Sequence, residues 1–149
     1  MSAKFQELKI HACEACHGSH KVMKTNIKMV GTDDKAFCIK CHTRGDKGFE
    51  TARAIRKLLM NLSQGLDSTS VKQKKVERIG MDDTDINYLL QEAHQSFIKA
   101  RTLVHTFDSS KVAAETQVGI QKLKKANEIA REQIEEQKTR RLGFGVATV

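Results

Sequence analysis

From Phe49 onward, apolar residues recur at steps of three and four. Ala52, Ile55, Leu59, Leu62 and Leu66 form the stripe of one helix face, and Val76 and Ile79 continue it beyond a weaker Ser/Thr-rich stretch at Ser68 to Ser70. Gly80 is the expected stop. Asp82, Asp83, Thr84 and Asp85 then supply capping and acidic residues for a new helix start, followed by Ile86, Leu89, Leu90, Ala93, Phe97, Ala100, Val104 and Phe107 at helical spacing. Asp108-Ser109-Ser110 offers another cap. Beyond it, Val112, Thr116, Ile120, Leu123, Asn127, Ala130 and Ile134 carry a third, more polar helix toward Arg141, with Glu and Lys dense on its outer face. The pattern predicts three long helices joined as hairpins. Residues 1–48 show no such period. They hold all the cysteines, four histidines and glycines at Gly18, Gly31, Gly45 and Gly48, so they read as loops and short turns organised around something other than an apolar core.

Composition narrows the picture. At 149 residues the chain is one domain, or one domain with an appendage. It has no proline, which favours uninterrupted helices over a loop-rich β fold, and only one tyrosine and no tryptophan, which makes for a thin aromatic core. The formal charge of +8 would suit an anionic partner, but acids are interspersed among the bases and no basic run alternates with aromatics, so nucleic acid is excluded as the expected partner. No stretch approaches the ~20 apolar residues of a membrane-spanning helix. The start carries no basic-then-apolar signal pattern. A hydrolytic triad, a phosphate loop and a dinucleotide fingerprint are all missing from the pattern.

One short motif occurs twice. Cys13-Glu14-Ala15-Cys16-His17 and Cys38-Ile39-Lys40-Cys41-His42 are both C-x-x-C-H pentapeptides, and together they use all four cysteines of the chain. This is the attachment signature of c-type haem: two thiols two residues apart add to the vinyl groups on one edge of a porphyrin, and the following histidine gives its imidazole to iron. The competing reading is a four-thiolate zinc site, since Cys13, Cys16, Cys38 and Cys41 also fit C-x2-C-x21-C-x2-C. Zinc has no use for a histidine directly after each second cysteine, and haem attachment requires one there. Structural disulfides are a third reading.

With two haems, His17 and His42 are the proximal iron ligands and each iron has a sixth position. His20 lies too close to His17 to reach the far face of the same haem, so it is the candidate for the other one. His94 and His105 are placed on the second helix eleven residues apart, about 16 Å and close to three turns, with His105 favoured as a ligand. His11 and His94 are the further distal candidates. Met23, Met29, Met60 and Met81 are read as packing.

Cys13 to His20, Phe37 to Gly48, and Ala100-Arg101 through His105 resemble the multihaem cytochrome c proteins with paired C-x-x-C-H motifs, in particular extracytoplasmic cytochromes of anaerobic bacteria. The resemblance implies two covalently bound haem c groups, His20 as a distal ligand, electron transport without catalysis, and a location on the periplasmic or extracellular side of a membrane. It also implies that the helical tail leads toward a membrane anchor, and Arg140-Arg141 before Leu142 suits the cationic border of one. The expected fold is mainly α: a loop-rich N-terminal dihaem segment (1–48) packed on an antiparallel bundle of about three long helices (49–142), followed by an apolar tail (143–149). Expected partners are acidic or membrane-bound redox proteins, with self-association through the mixed-charge tail left open. A haem-based sensor, a haem enzyme with an open iron site and a zinc-binding interaction module are the alternatives.

Overall fold

The computed structural model describes residues 14–22 and 24–146. Among them there is no β-strand. The order is a one-turn helix α1 (Glu14–His17), 3-10 turns at Ile27–Met29 and Cys38–Lys40, α2 (Lys47–Arg78), α3 (Thr84–Leu103), a 3-10 turn at Val104–Thr106, and α4 (Ser109–Val146). The mainly α architecture with a loop-rich first part is as the residue pattern predicts. The described residues form two compact units, one ending at Arg53 and one beginning at Ala54, with α2 running from the first into the second.

The helix ends follow from local chemistry. Gly80 has φ +70° and closes α2: its N–H donates to the Glu77 carbonyl (3.0 Å) and the Met81 N–H to that of Val76 (3.2 Å). This is the Schellman arrangement, completed by Met81 packing against the cluster that contains Val76. Asp82 then accepts the Thr84 N–H at 3.0 Å, while the Asp83 carboxylate accepts from the Asn87 side chain at 2.8 Å and from the Gln73 amide of α2. Asp108 starts α4 by accepting the Ser110 N–H at 2.9 Å and the Lys111 N–H at 3.3 Å.

In the second unit α2, α3 and α4 run up, down and up. Val76 near the end of α2 meets Ile86 and Leu89 at the start of α3 and Ala126 and Ala130 of α4, and Leu62 meets Ala93 and Leu123 one layer away. Small residues set the spacing. A Cβ on Gly119 would lie 2.9 and 3.0 Å from the two methyls of Leu62 and 3.2 Å from the Ser96 Cβ; one on Gly65 would lie 2.8 Å from a Leu123 methyl. Leu62 of α2 thus seats on a glycine of α4, and Leu123 of α4 on a glycine of α2. Polar groups that enter the interface are satisfied. The Asn127 amide donates to the Thr69 hydroxyl (2.9 Å) and the Leu123 carbonyl (2.7 Å), and its oxygen accepts from Lys72 (2.7 Å). Lys122 and Glu92 pair at 2.9 Å between α4 and α3.

Three details differ from the expectation. The Ser/Thr-rich stretch does not weaken α2, because Ser68 donates to the Gly65 carbonyl at 3.0 Å and Thr69 is fully buried against Asn127. The second helix ends at Leu103, so Val104, His105 and Phe107 are not part of it. There Thr102 donates to Ile98 O, Thr106 to Leu103 O and the His105 ring meets Thr102 O, so side chains take up the last carbonyls, and Phe107 turns the chain at φ 52°. Finally, α4 extends past Arg141 to Val146, and residues 147–149 of the predicted apolar tail lie outside the described residues. Among the described residues no helix is long and apolar enough to cross a membrane.

Leu62 is fully buried and Met60, two residues away, is 38% exposed. Leu62→Ala is expected to cost about 2–5 kcal/mol of unfolding free energy, Met60→Ala less than about 0.5 kcal/mol. Gly119→Val should cost about 1–3 kcal/mol by overpacking against Leu62. Urea titration followed by circular dichroism checks all three.

Candidate functional site

The second pentapeptide is wound into one turn. Lys40 N–H donates to Phe37 O (3.1 Å), and Cys41 and His42 N–H both donate to Cys38 O (3.3 and 3.0 Å). Phe37, just before it, donates its N–H to Met29 O at 2.9 Å, which ties the turn to the preceding loop, and Lys40 Nζ lies 4.5 Å over the Phe37 ring. Positions three apart share a helical face, so this turn presents the Cys38 and Cys41 thiols on one side. The first pentapeptide ends in a similar coil, with Glu14–His17 helical and Gly18 N–H donating to Glu14 O at 2.9 Å. Gly18 leaves that turn at φ +81°, where an added Cβ would sit 2.9 Å from the Lys21 carbonyl.

The two motifs lie close enough to feel each other. Partial burial pushes the Cys16 thiol up from its ordinary value, with Cys38 and Cys41 adding to the rise and Lys40 opposing it. Cys16 and Cys41 are exposed and Cys38 half-buried, and all three are free thiols. Cys13 and His11 lie outside the described residues. Among the described residues, no three His, Cys, Asp or Glu side chains converge so as to hold a single metal ion. Reduced, accessible thiols on one-turn coils, each followed by an imidazole, fit a porphyrin held by thioethers.

His42 follows the second coil and meets the start of α2. Its Nδ1 is 3.3 Å from Asp46 Oδ1. Asp46 is also the cap of α2, accepting the Phe49 N–H at 2.6 Å on Oδ1 and the Thr43 N–H at 2.7 Å on Oδ2. The Phe49 N–H, helped by those of Thr43 and Gly48 and by His42, outweighs desolvation and holds the Asp46 carboxyl below the usual carboxylate range. Neither Asp46 nor Gly48 stands out from the motif alone. The signal that could have marked Asp46 is its position as a capping residue just ahead of the apolar stripe.

The remaining candidates are spread out. His17 is half-buried and His20 exposed, both in the first unit. His94 and His105 are exposed residues of the second unit. His94 lies on α3, 6.4 Å from the Phe97 ring, and borders a shallow groove of about 410 Å³ with Leu66, Asp67 and Leu90. His105 sits in the 3-10 turn after α3, its Nδ1 2.9 Å from Thr102 O, so the two are not on one helix face as the spacing suggested.

The Asp46 cap has a pH signature. Because the folded carboxyl titrates below its unfolded value, the stabilisation is complete above the unfolded value of about 3.9 and is lost as pH falls through the folded one. Asp46→Asn is expected to shrink the loss of helix signal below about pH 4 in an acid titration followed by circular dichroism.

No curated protein and no solved structure matches the chain. Residues 6–47 match the family model described as the doubled CXXCH motif. That match supports a likeness of this segment to multihaem c-type cytochromes, and its two pentapeptides carry the pattern of covalent haem c binding.

Proposed function

We propose that this protein is a dihaem c-type cytochrome that carries electrons between redox partners on the extracytoplasmic side of a membrane, as a carrier and not as an enzyme. The observation that carries this reading is the pair of C-x-x-C-H pentapeptides that use every cysteine of the chain, inside the segment matching the doubled motif. Cys13 with Cys16, and Cys38 with Cys41, would each hold one porphyrin, and His17 and His42 would provide the proximal imidazoles. Bound haem supplies a one-electron couple. His20 and His105 are the proposed distal ligands, with His11 and His94 as alternates; a second imidazole closes the iron to small ligands and favours low-potential electron transfer. The +8 charge, of which two ferric haems with their propionates would offset about two, favours an acidic partner or an anionic membrane surface.

The test is the absorption spectrum of the purified protein, oxidised and dithionite-reduced, with a pyridine haemochrome count and carbon monoxide added last. Two haems per chain, sharp reduced bands and no carbon monoxide shift are expected. His20→Ala and His105→Ala should then each open one iron to carbon monoxide. A shift in the unmodified protein would favour an open-site enzyme or sensor, and colourless protein with one zinc per chain would overturn the reading.

A further inference from the structure

The start of α2 is built around the His42 ring. A Cβ on Gly48 would lie 2.1 Å from His42 Nδ1, 2.2 Å from Cε1 and 2.8 Å from Cγ, so the imidazole ring occupies space beside Gly48 that any side chain would fill. The ring's Nδ1 also meets Asp46 Oδ1 at 3.3 Å. Asp46 is itself immobilised by the Thr43 and Phe49 N–H groups, so it cannot follow the ring if the ring turns.

We infer that Asp46, with Gly48 giving it room, is a positioning residue for His42 that fixes its tautomer as Nδ1–H, presents Nε2 to iron and strengthens the imidazole as a donor. This rests on the haem reading above. A carboxylate accepting the Nδ1 proton makes a ligating imidazole more electron-rich, which stabilises the ferric state and lowers the reduction potential of that one haem. The cap of α2 and the orientation of the ligand are thereby one feature, because both depend on the same carboxylate oxygen.

The experiment is a spectroelectrochemical titration of the haem-loaded full chain and of three variants, with haem count and circular dichroism recorded for each. Asp46→Asn keeps a capping oxygen but removes the charge, and Asp46→Ser keeps a cap too short to reach His42. Asp82→Asn alters a capping carboxylate at the start of α3 whose bond goes to Thr84, and serves as the control. The expected result is two haems and native helicity throughout, with one of the two potentials raised in Asp46→Asn, raised further in Asp46→Ser, and neither moved in Asp82→Asn. Unchanged potentials in both Asp46 variants at full haem loading would overturn the inference and leave the haem reading intact. Equal movement of both potentials with loss of helicity would also overturn it, as a purely structural effect. An unmodified chain that carries no haem would instead sink the haem reading, and this inference with it.

Discussion

The second unit depends on two reciprocal seats between α2 and α4. Leu62 lies on Gly119, and Leu123 lies on Gly65, each with its methyls where a Cβ would otherwise stand. A glycine inside a helix costs about 1 kcal/mol relative to alanine, so each seat is unfavourable locally and is offset only by the close contact it permits. With Ala93, Ser96, Ala126 and Ala130 also facing inward, the helices come near enough for a few leucines and isoleucines to exclude water without an aromatic core.

That closeness governs the polar residues too. Thr69 is fully buried and Asn127 half-buried; they bond each other across the α2–α4 interface, and Lys72 reaches the same amide. A one-turn slip of α4 along α2 would strand the Thr69 hydroxyl and lift Leu62 off its glycine together, so packing and hydrogen bonding select the same register. The Glu92–Lys122 pair is half-exposed and adds modestly to this selection.

The first unit is organised differently. Its apolar burial is slight, with Ala36 and Ala52 the buried apolar residues among those described, and its backbone is held by short turns whose hydrogen bonds span three or four residues. Such a segment suits a role in which covalently held porphyrins provide the apolar bulk. The coils that present Cys38, Cys41 and His42 are local, but the seat for the His42 ring comes from the beginning of a helix of 32 residues, a far stiffer element than the loop that carries the thiols. Under the proposed electron-carrier reading that stiffness is an advantage, because a ligand that does not move on oxidation would add little to the reorganisation that accompanies each transfer.

The residue pattern by itself determined the chemistry and most of the elements. Five consecutive residues, twice over, define haem attachment because thioether and proximal bonds are local to the pentapeptide, and the matching of residues 6–47 to the doubled motif agrees. The helix stripes, the stop at Gly80 and the caps at Asp82 and Asp108 were legible for the same reason: each depends on neighbours within about one turn. Tertiary structure alone decided what depends on chain brought from elsewhere or on the exact path of a turn. Gly65 and Gly119 carry no sign in the sequence of the leucines that seat on them, and the run Ser68 to Ser70 reads as a weak stretch until the Asn127 amide donates to Thr69 in the core. The second helix stops short of Val104 although the apolar period continues, because hydroxyl and imidazole groups capture its last carbonyls. Asp46 is only four residues from His42, yet spacing could not reveal their contact, since it requires the backbone to turn between Thr43 and Asp46 so that a helix cap and the His42 imidazole meet the same oxygen.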